Sequence, residues 1–291
     1  MDQDALAKLL AKKFVQQKLV KAMQTPTGEY RPVKTSYPDG DYIKWTMKDF
    51  RDHIAGTHTF GHYTCDMDGL TKLITFDIDL DKTGTWVQEP DLTVLDKFYT
   101  DEEFKAATVI HKSTPREDWH DRRHPARGWY KLQLRTLTEW LSGTAHKDFG
   151  FQVASAYSGN KGCHVYCFFP EPVQSSMARE MALLVLEATA ERIGGTKYKF
   201  EKVKGNSTFK YSHPDPYSDF SNLSIEIYPK QDEPLGTKLG NLVRLPLGRN
   251  NKNPKDPCFF VDQAAPMKEL KPHPDPVALL EGKLSPWVGG S

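Results

Sequence analysis

The chain has 291 residues and a formal net charge of +1, so it has room for one large domain or two small ones and no overall basic signature. A polyanionic partner would therefore have to bind a local charged patch. No apolar run approaches the roughly 20 residues that span a bilayer, and the N-terminus lacks a signal-peptide core. We expect a cytoplasmic chain without a membrane partner, in keeping with four cysteines spread along the sequence.

In the first half of the chain, the spacing of apolar residues predicts helices alternating with short strands. Leu6, Leu10 and Phe14 share one face of a predicted helix. In chain order we predict a helix over 4–23, a Pro/Gly-rich loop over 25–40, a short helix over 47–55, strands over 60–65 and 73–79, and a helix near 91–106.

The second half is richer in strands. We predict a helix over 127–142, strands over 150–157 and 163–169, a helix over 174–193, and strands over 197–202, 223–228 and 240–245. The order indicates an α+β fold with two sheet modules facing one cleft. We divide the chain into an N-terminal helical segment (1–59), a core (60–261) with a charged insert (about 81–125), and a C-terminal wrapping tail (262–291).

Two acidic side chains alternate with buried apolar ones in the strand over 73–79. Residues i and i+2 of a strand point to the same face, so Asp77 and Asp79 project together while Phe76 and Ile78 anchor the other face. Two carboxylates on one rigid ledge suit a hard divalent cation. An edge strand running into an acidic turn is the simpler alternative, but buried unpaired acids are costly.

A glycine-containing turn, Ser158-Gly159-Asn160-Lys161-Gly162, separates the two predicted strands that follow. Its glycines permit close backbone approach to a ligand. Ser158, Lys161 and His164 offer a hydroxyl, a point charge and an imidazole to phosphate oxygens. A plain hairpin turn would use the same residues.

Two further polar residues lie in apolar strands. Glu226 stands between Ile225 and Ile227, where it is either a solvent-facing residue or a third metal ligand. Arg244 lies in an apolar strand, and an arginine in such a place usually has a carboxylate or phosphate partner.

Together these motifs resemble those of the archaeo-eukaryotic primase superfamily, the primase-polymerases. Phe76-Asp77-Ile78-Asp79 matches its hydrophobic-D-x-D strand, residues 158–164 match its S-x-x-K-G-x-H turn, and Ile225-Glu226 matches its third motif. The segments after Glu226 and around Arg244 are most similar to CRISPR-associated primase-polymerases and to conflict-system or mobile-element primases. The resemblance covers about 60–250, and many members have Asp where this chain has Glu226.

The resemblance implies a catalytic core of two sheet modules, one of them RRM-like, with helices enclosing an active-site cleft. It implies template-dependent nucleotidyl transfer, as a DNA primase or DNA polymerase, with two Mg²⁺ or Mn²⁺ ions held by Asp77, Asp79 and Glu226. Ser158, Lys161, Gly162 and His164 would bind the nucleoside triphosphate (dNTP or NTP), with Arg244 and Lys230 adding positive charge. The partners would be a single-stranded or primed DNA template, with helicase, nuclease or CRISPR proteins fused or associated.

Two further hypotheses concern nucleotide choice and template binding. Tyr63 precedes the acidic strand and is either a core residue or a group that contacts the incoming sugar or base. Arg122, Arg123 and Arg127 lie among Trp119, Trp129 and Tyr130, a composition that suits a nucleic-acid strand or a solvated helix face equally. We expect no zinc, because His120 and His124 have helical spacing whereas Cys163 and Cys167 lie on a strand.

Other functions remain open at the sequence level. Asp79-x-Asp81-x-Thr83 matches the nucleophile motif of haloacid-dehalogenase-like phosphatases, although no convincing downstream acidic pair accompanies it. A calcium loop is a poorer match, because Lys82 replaces the required glycine. A catalytically inactive nucleic-acid-binding module is the non-enzymatic alternative.

Overall fold

The structure, a computed structural model, describes residues 2–81, 88–93, 100–119, 124–201, 207–234, 239–266 and 269–283. Its α-helices are α1 (Gln3–Phe14), α2 (Met47–Ile54), α3 (Asp101–Ser113), α4 (Ala126–Lys147), α5 (Ser175–Ile193) and α6 (Pro276–Glu281). Within these ranges no helix is both long enough and apolar enough to cross a membrane.

The strands form two antiparallel sheets. They are β1 (Ala22–Gln24), β2 (Tyr30–Pro32), β3 (Phe60–Tyr63), β4 (Leu70–Leu80), β5 (Gln152–Tyr157), β6 (Gly162–Gln174), β7 (Thr196–Glu201), β8 (Ser207–Ser212), β9 (Leu223–Tyr228), β10 (Leu242–Arg244) and β11 (Phe259–Phe260). The large sheet has the order β11-β5-β6-β4-β9-β8-β7, and the small sheet has the order β10-β3-β1-β2. The predicted mixed fold with two sheet modules is confirmed.

Strand alternation divides the large sheet into two faces with separate cores. Ile74, Phe76 and Ile78 of β4 pack with apolar residues of α4 and α5. On the opposite face, Tyr166 and Phe168 of β6 pack with α1, α2 and α6. The helix pair α4 and α5 therefore supports one side of the sheet, and the other side faces the small sheet across the region where Asp77 and Asp79 emerge.

Helix α1 is shorter than the sequence suggests. The prediction of a helix over 4–23 is wrong beyond Phe14, because Val15 is already extended and residues 22–24 form β1. Lys72 fixes this end by donating to the carbonyl oxygens of Lys12 (3.0 Å) and Val15 (3.1 Å), which the ended helix leaves without intrahelical partners.

Two other segments differ from expectation. The predicted loop over 25–40 contains β2, which pairs with β1. Part of the helix predicted near 91–106, residues 94–99, lies outside the described residues; the described helix is Asp101–Ser113, which a capping box of Thr100 and Glu103 starts. By contrast, β9 spans 223–228 as predicted.

The C-terminal part is attached to α4 through a fully buried arginine. Arg135 donates to the carbonyl oxygen of Glu269 (2.8 Å) and to those of Gln263 (3.2 Å) and Ala265 (3.3 Å). Its Nε lies 2.7 Å from Oε1 of Glu139, an ion pair almost closed to solvent. One side chain thus joins the core beneath the large sheet to the segment that follows β11.

We predict that Arg135→Met lowers the free energy of unfolding by about 3 kcal/mol, because Glu139 and three carbonyls lose their buried partner. Denaturant unfolding measures the loss. Adding Glu139→Leu should restore part of it. The exposed pair of Arg51 and Asp4 supplies the control, since Arg51→Met should cost less than about 1 kcal/mol. Equal losses for the two arginine variants would contradict the assignment.

Candidate active site

Two carboxylates of β4 form the floor of the site. Phe76 and Ile78 are fully buried, so the alternating Asp77 and Asp79 project from the other face of the large sheet. Their side chains remain 25% and 41% exposed, respectively, which leaves both open to a ligand. The predicted shared face is therefore present in the structure.

The two neighbouring strands bring three more predicted residues to this ledge. In β6, His164 lies opposite Asp77 and Gly162 lies opposite Asp79. In β9, Glu226 lies opposite Asp77 from the other side. Residues directly opposite in antiparallel strands share a face and lie close together, so one register of three strands assembles this group.

His164 is held between Asp77 and a buried tyrosine. Its Nε2 is 3.2 Å from Oδ1 of Asp77, and its Nδ1 is 2.9 Å from the hydroxyl of Tyr166. Both contacts are satisfied when the Nε2–H group donates to the carboxylate and Nδ1 pairs with the Tyr166 hydroxyl, as acceptor in the neutral ring or as donor in the imidazolium. The imidazole, expected to bind a triphosphate, is thus oriented towards Asp77.

The turn before β6 is fixed through the backbone carbonyl of Ser158. This oxygen accepts from Nη2 of Arg244 (2.9 Å) and Nδ2 of Asn250 (3.1 Å), and the Cys258 thiol is 3.4 Å away. The Ser158 hydroxyl accepts from the backbone N–H of Gly162 (3.3 Å) and keeps its own proton for a ligand. Arg244 therefore acts here as a clamp on the turn.

Lys161 lies beside the second carboxylate. Its Nζ donates to the carbonyl oxygen of Leu80 (2.7 Å) and is 3.8 Å from Oδ2 of Asp79. The side chain is 36% exposed, so the ammonium group faces both the acid and the open side of the site.

Glycine at position 162 leaves room for Asp79. A Cβ atom placed there would overlap the Asp79 carboxylate and the carbonyl oxygen of Ile78. The glycine of the turn motif is thus required by the neighbouring strand, because the Asp79 side chain leans across β6.

The carboxylates are electrostatically unbalanced. Burial raises the pKa of Asp79 to about 6, and the adjacent Asp77 charge adds to the rise, against opposition from Lys161 and His164. Burial also raises the pKa of Asp77, but the charge and hydrogen bond of His164 outweigh it, so this pKa lies below its usual range. A cation at the ledge would relieve this repulsion.

Glu226 is engaged by two neighbours in its own segment. Its Oε2 accepts from Nζ of Lys230 (2.9 Å) and from the hydroxyl of Tyr228 (3.2 Å). Among the described residues, no three His, Cys, Asp or Glu side chains are arranged to hold a metal ion. The oxygen donors fit Mg²⁺ or Mn²⁺ in chemistry, but a third carboxylate ligand requires Glu226 to leave Lys230 and Tyr228.

A cavity of about 240 Å³ opens over the ledge. It is lined by Gln24, Tyr30, Asp77, Asp79, Ser158, Asn160, Lys161, His164, Tyr228, Leu242, Val243, Arg244, Asn250 and Lys252. The acidic strand and the glycine-containing turn thus share one cavity. Among the described residues, the lining includes neither Glu226 nor Lys230, although Tyr228 links the cavity to both.

The sequence did not point to several of these lining residues. Gln24 comes from β1 and accepts from the backbone N–H of Asn251 (2.9 Å), which fixes the loop that carries Asn250 and Lys252. The aliphatic part of Lys252 packs where a Cβ on Gly28 would stand. These residues are isolated in the sequence, and only the small sheet brings β1, β2 and the loop after β10 together.

The remaining predicted residues lie elsewhere. Tyr63 is 5% exposed and packs with Val20 and Ala22 in the small sheet, where burial raises its pKa to about 12. Arg127 is buried and donates to the carbonyl oxygen of Asn160, so it supports the turn. Arg122 and Arg123 lie outside the described residues.

The side chains considered for other chemistries have structural contacts. Asp81 is buried against Lys210 and is not among the residues that line the cavity in the described part of the chain. Cys163 and Cys167 are fully buried free thiols that face α4 and α5. His124, the described member of its pair, accepts from the backbone N–H of Ala126 (3.1 Å).

We predict that Gly162→Ala costs about 1–3 kcal/mol of stability, because the new methyl group meets Asp79 and the β4 backbone. Adding Asp79→Ala should recover part of that loss, and a double-mutant cycle in denaturant measures the coupling. Gly150 provides the control: its φ is +71°, but nothing lies within 4 Å of the place that an alanine methyl group would take. Gly150→Ala should therefore show no coupling to Asp79→Ala, and additive effects at Gly162 would refute the steric explanation.

Comparison with known proteins adds a family to this geometry. The family model described as "TOTE conflict system, Archaeo-Eukaryotic Primase domain" matches residues 14–210. The matched region includes Asp77, Asp79 and the turn with His164, and it ends before Glu226. No curated protein matches the chain.

Among solved structures, the chain is similar to the "Polymerase Domain from Mycobacterium tuberculosis Ligase D in complex with DNA". The two are 13% identical, with a TM-score of 0.37 over 77% of this chain and 72% of that one. The family model matches more than half of the chain, including both acids of β4. The chain belongs to the archaeo-eukaryotic primase domain family of TOTE conflict systems, a family of nucleotidyltransferase-type enzymes.

Proposed function

We propose that this chain is a DNA primase or DNA polymerase that adds nucleotides to a primer or a first nucleotide under the direction of a DNA template. The observation that carries the proposal is the single cavity in which Asp77 and Asp79 face Ser158, Lys161 and His164. Paired carboxylates beside hydroxyl and ammonium groups suit a reaction that brings a triphosphate and a metal ion together.

Each side chain has a part that follows from its contacts. Asp77 and Asp79 would hold the divalent metals, with Glu226 joining them in exchange for Lys230 and Tyr228. The metals, two Mg²⁺ or Mn²⁺ ions, would activate the attacking hydroxyl and neutralise the leaving pyrophosphate. His164 orients Asp77, and Gly162 leaves space for Asp79.

The triphosphate would bind on the turn side of the cavity. The Ser158 hydroxyl retains a proton to donate, and Lys161 supplies positive charge. Lys252 adds a second exposed lysine to the cavity lining, from the loop whose Asn250 donates to the Ser158 carbonyl oxygen. Arg244 holds the Ser158 carbonyl and so fixes the turn against which the phosphates would lie.

The sequence predicts template binding by Arg122, Arg123 and Arg127. Arg127 is occupied by the turn, and Arg122 and Arg123 remain predictions for template binding. The phosphatase alternative is not favoured, because it needs Asp81 as an acid in the site and Asp81 is paired with Lys210. The nucleic-acid-binding module without turnover remains the outcome to exclude by assay.

We predict that wild-type protein extends a primed single-stranded DNA with dNTPs or NTPs in Mn²⁺, and that Asp77→Ala with Asp79→Ala lowers the rate at least about 10³-fold, since charge neutralisation at the reacting phosphate is lost. Gel analysis of labelled products measures the rate. Asp68→Ala removes an exposed carboxylate of the β3–β4 turn and should leave it unchanged. Phosphate release from a monoester instead would support the phosphatase, and binding without turnover would support the module.

We also predict that Lys252→Ala raises the KM for the nucleotide roughly 10-fold, because one charge-assisted contact to phosphate is worth about 1.5–3 kcal/mol. Steady-state kinetics with varied nucleotide measure it. Lys255→Ala is the matched control, as Lys255 is also exposed but does not line the cavity. A KM unchanged in both variants would remove Lys252 from the triphosphate site.

A further inference from the structure

A second cavity, of about 500 Å³, lies beside the C-terminal turn of α1. It is lined by Lys12, Lys13, Lys72, Gly150, Gln152, Phe168, Phe169, Pro170, Glu171 and Pro172. Its floor, Phe168, is four residues along β6 from His164, roughly 13 Å at strand rise. Phe14 packs against Phe168 and Tyr166 between the two cavities, which share no lining residue in the described chain.

Lys13 is held in place by neutral groups. Its Nζ donates to Oε1 of Gln152 (2.5 Å) and lies 5.4 Å from the centre of the Phe168 ring. Gln152 is itself oriented, because its Nε2 donates to the carbonyl oxygen of Leu280 (2.9 Å). The amide oxygen therefore faces the lysine, and the ammonium position is set before any ligand arrives.

Lys72 is fixed from the other side by the end of α1. Its two hydrogen bonds go to the carbonyl oxygens of Lys12 and Val15. The Lys12 side chain leaves the same helical turn and is exposed. Capping of α1 accounts for Lys72, but it does not require two further lysines around the same cavity.

The three ammonium groups are not neutralised by the described part of the chain. None of them forms an ion pair with a described carboxylate, and the acid on the lining, Glu171, is exposed. Burial, together with the neighbouring lysines, lowers the pKa of Lys13 and of Lys72. An ammonium has three donors, of which Lys13 uses one and Lys72 uses two in these contacts, so both can still donate to an anion.

We propose that Lys12, Lys13 and Lys72 form a second anion site that binds a phosphate group, carried by a free nucleotide or by the end of a nucleic-acid strand. A phosphate has several strong acceptor oxygens, which matches the lysine side chains that line this one cavity, two of them with spare donors. The Phe168 and Phe169 walls accommodate the less polar part of such a ligand, and the volume lies in the usual range for small-molecule sites. The inference does not depend on the proposed nucleotidyl transfer.

The first test uses the full chain in EDTA and titrates inorganic pyrophosphate by calorimetry. Lys12→Glu should weaken binding at least about 10-fold, since it reverses a charge on the cavity wall. Lys8→Glu makes the same charge change on the exposed side of α1, outside the cavity. It should change pyrophosphate binding less than about twofold, because solvent and salt screen an exposed charge at that distance. Identical isotherms for wild type and Lys12→Glu, or equal losses for both variants, would overturn the site.

A second variant removes the fixed lysines without reversing charge. Lys13→Gln with Lys72→Gln should also weaken pyrophosphate binding about 10-fold, with circular dichroism confirming the fold.

Two probes identify the source of the phosphate. Binding of dATP that is sensitive to Lys12→Glu assigns the site to a nucleotide. A 5′-phosphorylated oligonucleotide that binds more tightly than its 5′-hydroxyl form, with that difference lost in Lys12→Glu, assigns it to a nucleic-acid end. Primer extension by Lys12→Glu separates a failure here from a failure of the proposed polymerase.

Discussion

The antiparallel pairing of β4 with β6 on one side and β9 on the other is the constraint on which the site depends. It sets Asp77 opposite both His164 and Glu226, and Asp79 opposite Gly162. A slip of one residue in either pair would turn the partner side chain to the helical face of the sheet. The apolar residues of β4 that pack on α4 and α5 make such a slip expensive, so the core enforces the register on which the acids rely.

That same packing leaves the acids with an energetic conflict. The strand holds two carboxylates side by side, and burial, followed by the neighbouring charge of Asp77, raises the pKa of Asp79. Nearby side chains compensate part of this negative charge: His164 contacts Asp77, Lys161 lies near Asp79, and Lys230 pairs with Glu226. Under the proposed function, a divalent cation at the ledge would take over part of this compensation.

Features that depend on local sequence patterns could be predicted, whereas features that depend on contacts between distant residues could not. The alternation in β4 is local, so it predicted the shared face of Asp77 and Asp79 directly. The carbonyl oxygens at the end of α1 are bound by Lys72, which is 58 residues beyond Phe14 in the chain. The helix predicted from local periodicity therefore extended too far. Lys252 and Gln24 were missed for a similar reason: their meeting depends on the small sheet, whose strands of three or four residues give almost no periodic signal.

The contacts separate the residues of the turn motif that support the acidic strand and the turn from Lys161, which supplies positive charge. His164 supports a carboxylate, Gly162 makes room for one, and the Ser158 carbonyl is the anchor for Arg244 and Asn250. Much of a motif whose residue types suggested phosphate binding thus serves to fix the geometry of the acidic strand. A triphosphate carries several negative charges, and within the motif Lys161 supplies the full positive charge, because Ser158 is neutral and His164 is committed to Asp77. Under the proposed function, the remaining positive charge would have to come from outside the motif, and Lys252 is an exposed lysine on the cavity lining that is placed to supply it.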